Sequence, residues 1–257
     1  MSRVLSFLYG VLSYAAFLAV GLYAFGFIAG FWTPTSLDAA PRHSLPWAIG
    51  VDLALLAGFA VQHSGMARPA FKRWWTRIVP QPIERSTYVM VSSVLMVGLF
   101  LLWEPIGGVV WRVPEGTAMI AVLALYVLGW ALLFYSTFLI DHFDLFGLTQ
   151  VWRRLRGEAY RPPQFHTPSL YKLVRHPLYV GWLTIFWAAP VMTSAHLLFA
   201  LMTTVYILIA IQLEERDLLG AFGATYANYR RRTPMLIPRL TPRPHPFLTS
   251  AHSDLET

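Results

Sequence analysis

The stretch "LVRHPLYVG" at 173–181 sets a fixed cation, Arg175, and a titratable ring, His176, directly before Pro177. Proline at a first helical turn sacrifices no hydrogen bond, and the residue before it is driven to extended backbone, so a helix is expected to start here. Its first amides and positive dipole end would face an anionic group such as a carboxylate, with Arg175 adding charge. Gln212, Glu214 and Glu215 end the uncharged run that follows. Two neighbouring carboxylates at an apolar boundary are costly unless they meet cations or hydroxyls, which an ammonium or a ribose would supply. Taken alone, Arg175 reads as readily as an arginine snorkelling to headgroups, and the glutamates as partners of Arg216, Arg175 or the loop arginines.

Two further groups could move a proton. Gln62, His63 and Ser64 close one apolar stretch, and Asp141, His142 and Asp144 close another. A histidine near a carboxylate can hold a fixed tautomer or accept a proton near neutral pH, although "DHFD" is also a common way to cap a helix before a turn. Asp52 falls inside an apolar run and must be paired, protonated or turned inward. Tyr179, Trp182 and Trp152 lie near the first group, where ring faces could contact a cation. In "LLGAFGATYANYRRR", Tyr226 sits one turn from Tyr229 and Arg230, on a segment that could cap a pocket or rest on lipid.

The elements that must position these residues are membrane spans. Of 257 residues, 56% are hydrophobic and 13% charged, with mean hydropathy +0.50, far from the roughly 25% charge of soluble domains. No charge falls between Arg3 and Asp38, Arg85 and Glu104, Glu115 and Asp141, or Arg175 and Glu214, and the run from about Leu45 to Met66 carries only Asp52. Each gap can hold the ~20 apolar residues that cross a bilayer. The first is too long for the apolar core of a signal peptide and lacks a convincing cleavage site. The run 178–213 exceeds one span, and "TSAH" at 193–196 near its middle suggests a helical hairpin, which would return Glu214 and Glu215 to the side of Arg175 and His176.

Of the 20 Lys and Arg, only Arg42 and Arg112 fall outside the N-terminus, the loops at 68–85 and 153–175, and the region after 215. Both termini and the basic loops are therefore expected in the cytoplasm. The net charge of +7 is spread as juxtamembrane flanks, which favours contact with membrane lipids and argues against nucleic acid. With no cysteine, disulfides and thiolate chemistry are excluded, and only His or His/carboxylate metal sites stay open. The fold expected is all-α, a polytopic transmembrane helical bundle over 1–240, with a C-terminal hairpin, cytoplasmic cofactor-binding flanks at about 165–240, and a disordered Pro-rich tail at 241–257.

With "LVRHPLYVGW", "EERDL" and "YANYRRRTPMLIP", the C-terminal third resembles the integral-membrane methyltransferases that include isoprenylcysteine carboxyl methyltransferase and phospholipid methyltransferases. The blocks "QHSGMARPAFKRWWTRIVPQPIERSTYV" and "DHFDLFGLTQVW" make roughly 45–240 similar, within these, to the bacterial enzymes that convert methanethiol to dimethyl sulfide. That resemblance implies an S-adenosyl-L-methionine site contacted by Lys172, Leu173, Val174, Arg175, His176, Tyr179 and Gly181 and by Glu214 and Glu215. Its partner would be a small volatile thiol, and no metal is required. A thiol must lose its proton to react, so His63, Asp141, His142 and Asp144 are the candidate bases. Two other readings stand beside it: methylation of a lipid amine or prenylcysteine carboxylate on the same scaffold, and a haem-binding membrane protein using His63, His142 and His176.

Overall fold

The computed structural model describes residues 1–239; the tail at 241–257 lies outside them. Five helices are long and apolar enough to cross a membrane: α1 (Arg3–Ala29), α2 (Leu45–Ala67), α4 (Gln81–Leu102), α5 (Thr117–Leu139) and α9 (Ser194–Arg232). Between them run α3 (Pro69–Trp75), β1 (Val109–Arg112), α6 (His142–Leu145), α7 (Leu148–Arg156), a 3₁₀ turn at Ser169–Lys172, α8 (Pro177–Trp187) and β2 (Val191–Thr193). The molecule is an all-α polytopic bundle. Leu22, Leu128 and Ile120 are about three-fifths exposed or more on its surface, as expected where the solvent is lipid.

The termini of the spans follow from local chemistry. Ser2 caps α1, its hydroxyl accepting from the Leu5 amide, and Gly30 ends it in the left-handed region that a side chain would strain. Proline opens α2, α3, α4 and α8 within the first two positions, where no amide is lost. Aromatic side chains fill the centre: Phe27 packs on Phe100 and Trp103, Trp103 meets Phe199, and Trp130 lies edge-on to Trp182 and tilted against Phe25. Trp182, expected near a ligand, belongs to this core, and Trp152 packs against Phe7.

The hairpin has unequal arms. The 11 residues of α8 reach only about 16 Å, roughly half a bilayer. Residues 188–193 cover the remainder in extended form, and such backbone survives at depth only if its polar groups are paired. β1 pairs them: it runs antiparallel to β2, the Val113 amide donates to the Pro190 carbonyl, the Trp111 indole to Ala189, and the Ser194 amide to Gly108. α9 then crosses in a single long helix and kinks at Gly223, whose φ of 52° and ψ of −125° break the helical geometry.

Asp52 is turned inward as required, fully buried, its Oδ1 accepting from the Glu104 amide at 2.9 Å. α8 lies against α5 through two glycines. A Cβ on Gly181 would stand 2.8 Å from the Leu133 amide nitrogen and 2.9 Å from the Gly129 carbonyl oxygen, both backbone atoms that cannot yield. Gly181 therefore serves close helix packing, the small-residue device of membrane interfaces, and faces α5. Gly181→Ala is expected to cost about 1–3 kcal/mol by overpacking, seen as a lowered unfolding midpoint in detergent. Gly220→Ala, whose Cβ would meet open space, should leave that midpoint level or raise it.

Candidate active site

The ends of α8 and α9 lie against each other. Arg175 Nε donates to Glu215 Oε1 at 2.6 Å, and His176 Nε2 donates to the same oxygen at 3.1 Å. Both partners are buried, with the Glu215 side chain 5% exposed and that of Arg175 11%. The Arg175 Nη1 group also donates to the carbonyls of Thr233 and Arg230. Arg230 Nε stands 3.7 Å from Glu215 Oε2. A salt bridge this dry adds little over an apolar pair, but removing one partner strands a buried charge.

One expectation is corrected here. The amides of Arg175 and His176 are not free for a ligand: they donate to the carbonyls of Pro234 and Met235, the chain that leaves α9. The carbonyls of 230, 233, 234 and 235 thus wrap the start of α8, and the cradle presents side chains instead of bare amides. Its open face is Glu214, whose side chain is 43% exposed; Tyr179 donates to its Oε2 at 3.1 Å, and His176 Nδ1 lies 3.9 Å away.

The kink at Gly223 turns the last turns of α9 over this cradle. Tyr226 is buried, and its hydroxyl has no hydrogen-bond partner among the described residues. The Tyr229 hydroxyl donates to the Tyr171 carbonyl at 2.6 Å. Phe165, from a loop that gives no periodic signal, contacts Phe222, Tyr226 and Tyr229 with ring centroids 5.2–5.7 Å apart. Around the 3₁₀ turn, Val174 is buried and Leu173 exposed, while Lys172 sits just before the cradle.

A second polar group docks beside it. Arg68 Nη1 to Asp217 at 2.7 Å and Ser64 to the Tyr206 hydroxyl at 3.1 Å fasten the end of α2 to α9. On that end, Tyr88 from α4 hydrogen-bonds His63 Nε2 at 2.8 Å, and His63 Nδ1 lies 3.2 Å from Ser92 Oγ. The Ser92 proton is directed to Gln62 Oε1, so Ser92 accepts from Nδ1–H and Nε2 accepts from the Tyr88 hydroxyl. Tyr88 and Tyr179 both lie within reach of the Glu214 charge. Tyr88 and Ser92 were not singled out by sequence; their spacing of one turn on α4 is the signal that could have found this face.

The remaining candidates stand elsewhere. Asp141 occupies the left-handed region at φ 75° and caps α6, accepting from the Asp144 amide. Asp144 accepts from Tyr160 and Gln150. His142 is buried with both nitrogens engaged: Thr137, whose own proton goes to the Phe134 carbonyl, accepts from Nδ1, and Tyr14 donates to Nε2. Its ring stacks on Phe138 at 4.2 Å. Burial lowers the His142 pKa, and burial raises that of Asp144 against the opposing Tyr160 hydrogen bond. His63, His142 and His176 do not converge as haem ligands would, and no group of three His, Cys, Asp or Glu among the described residues is placed to hold a metal ion.

The fold defines an integral-membrane protein whose candidate site is a polar cluster at the basic end of the bundle, where the last two helices meet. No protein-family model and no solved structure matches the chain. Curated relatives do. The chain is 51% identical over 238 residues to the methanethiol S-methyltransferase of Crocosphaera subtropica, covering 93% of each chain. It is 51% identical over 242 residues to methanethiol S-methyltransferase 2 of Bradyrhizobium diazoefficiens, covering 94% of this chain and 93% of the relative. To the methanethiol S-methyltransferase of Mycobacterium tuberculosis it is 48% identical, covering 93% and 98%. The chain belongs to the methanethiol S-methyltransferase family.

Two outcomes are expected. Glu215→Gln should lower stability by about 3–5 kcal/mol in thermal unfolding, because Arg175 is left buried and uncompensated. Stability should also fall as pH drops below about 6.5, the ordinary histidine value: between there and the lowered folded pKa, the unfolded chain holds a proton on His142 that the folded chain lacks. His142→Gln should flatten that part of the pH–stability curve.

Proposed function

We propose that this chain transfers a methyl group from S-adenosyl-L-methionine to methanethiol, releasing dimethyl sulfide, at the cytoplasmic face of a bacterial inner membrane. The observation that carries the reading is near-50% identity along almost the whole length to proteins named for that reaction. The orientation rests on the Lys and Arg gathered at the site end of the bundle.

The residues fit the donor. The unpartnered Tyr226 hydroxyl and the exposed Glu214 carboxylate offer hydrogen bonds to a ligand's ammonium and hydroxyls, beside the Arg175 cation. When bound, the donor supplies an electrophilic sulfonium methyl. The cradle's work is alignment and exclusion of water, and alignment alone can be worth about 7–11 kcal/mol. Arg175, His176 and Glu215 act through one another as the frame; Glu214, Tyr179 and Tyr226 make the contacts.

The thiol's S–H bond breaks as its sulfur forms the new bond to the methyl carbon, so its proton needs an acceptor. Tyr88 and His63 provide one: the Tyr88 oxygen takes the thiol proton while its own passes to His63 Nε2 across 2.8 Å. Nδ1–H, fixed on Ser92, then balances an imidazolium against the Ser92–Gln62 chain. A small apolar thiol partitions into lipid and can reach this face laterally, while the donor enters from water.

Purified protein given S-adenosyl-L-methionine and methanethiol should evolve dimethyl sulfide, measured by gas chromatography. His63→Gln and Tyr88→Phe should each lower kcat by about 10²-fold or more, and His142→Gln by less than about tenfold. No gas above a protein-free control, with label instead in extracted lipid, would reject the substrate; equal losses at His63 and His142 would reject the base.

A further inference from the structure

A second cleft of about 690 Å³ opens at the basic end, and none of the residues lining it belongs to the cradle. Its size is that of a small-ligand site. Four cations border it: Arg3 from the start of α1, Lys72 from α3, Arg85 from the second turn of α4, and Arg154 from α7. The carboxylates that line it with them are Glu84, Asp144 and Glu158, one fewer than the cations. Asp144 accepts from Tyr160 and Gln150, and Glu158 is paired with Arg156 at 2.8 Å. Among the described residues, neither Arg3 nor Lys72 has a side-chain hydrogen bond or ion pair. Burial, with Arg85 next, lowers the Lys72 pKa against the opposing pull of Glu84 and Asp217.

Two of the lining residues also carry acceptor oxygens that are shut off from solvent and lack donors among the described residues. Gln150 is about nine-tenths buried; its Nε2 serves Asp144, while its Oε1 has no partner. Glu84 Oε1 is likewise buried and unpartnered. A bare anion would satisfy the cations and leave these two oxygens unmet, at a cost of about 1–3 kcal/mol for each such group. What satisfies both is a phosphate ester carrying its own N–H or O–H donor.

We propose that this cleft is a binding site for such a group, a phosphate seated among Arg3, Lys72, Arg85 and Arg154 with its attached ammonium or hydroxyl on Gln150 and Glu84. Arg3 and Arg85 stand in the opening turns of two spans, where lipid headgroups gather, so a phosphatidylethanolamine or phosphatidylglycerol headgroup is the source. This site is separate from methyl transfer and does not rest on it.

The test uses full-length protein stripped of lipid in detergent and titrated with dihexanoyl phosphatidylethanolamine, dihexanoyl phosphatidylcholine or inorganic phosphate, reading the unfolding midpoint. The ethanolamine lipid should raise the midpoint saturably. The choline lipid, with the same phosphate but no N–H, should need a concentration about tenfold or more higher, as should the ethanolamine lipid with the Arg3→Gln/Lys72→Gln variant. Inorganic phosphate acting at the concentrations of the ethanolamine lipid would show that the attached donor is not read and would overturn the proposal. Equal action of the two lipids, or an unaltered response in the variant, would overturn the proposal. Native mass spectrometry of the wild-type protein gives a second reading that needs no variant: one retained ethanolamine or glycerol phospholipid supports the site, and retention indifferent to headgroup overturns it.

Discussion

The buried ion pair between Arg175 and Glu215 is the contact on which the rest of the site depends. Between helices in lipid there is little hydrophobic drive to associate, since the tails are as apolar as leucine, so docking rests on packing and polar pairing. α8 is too short to anchor itself across the bilayer. It is fixed on one flank by the glycine contact with α5 and at its first turn by this pair. The same guanidinium gathers the carbonyls of Arg230 and Thr233, so the chain leaving α9 is folded back around the start of α8. One charge thereby sets the start of one helix, the end of another and the segment that follows.

That arrangement divides the polar residues by task. Glu215 is committed inward, while its neighbour Glu214 is left toward solvent, with Tyr179 aiming one of its oxygens. Adjacent residues on a helix point about 100° apart, which is why a pair of glutamates can be half frame and half contact. The histidines divide in the same way. His142 is held between Thr137 and Tyr14 and stacked on Phe138, a polar plug where α5 ends. His63 carries a similar pair of hydrogen bonds but stands where α2 docks on α9, and its tyrosine partner lies within reach of the Glu214 charge.

Much of this was legible in the residues. Gaps between charges marked four of the five spans, and the run broken only by Asp52 marked α2, because an unpaired charge at the bilayer centre is costly. The hairpin, and with it the meeting of Arg175 and Glu215, followed from the length of one apolar run. What was missed is what depends on tertiary partners. The amides before Pro177 looked free because nothing in the sequence says that residues 234 and 235 return to them. Gly181 and Trp182 sit within a motif read as ligand-binding yet face α5 and the core, a matter of which side of α8 turns inward. The extended crossing at 188–193 is apolar and reads as helix, since its strand partner β1 lies far away in sequence. Tyr88 and Phe165 entered only when distant elements came together.

The frame's central role is tested most directly by a double-mutant cycle on Arg175→Gln and Glu215→Gln, reading the affinity for S-adenosylhomocysteine by calorimetry. If the two side chains act as one buried unit, the double variant binds about as well as the weaker single variant, or better. Losses that add across the two positions would mean that each meets the ligand independently and that no shared frame exists.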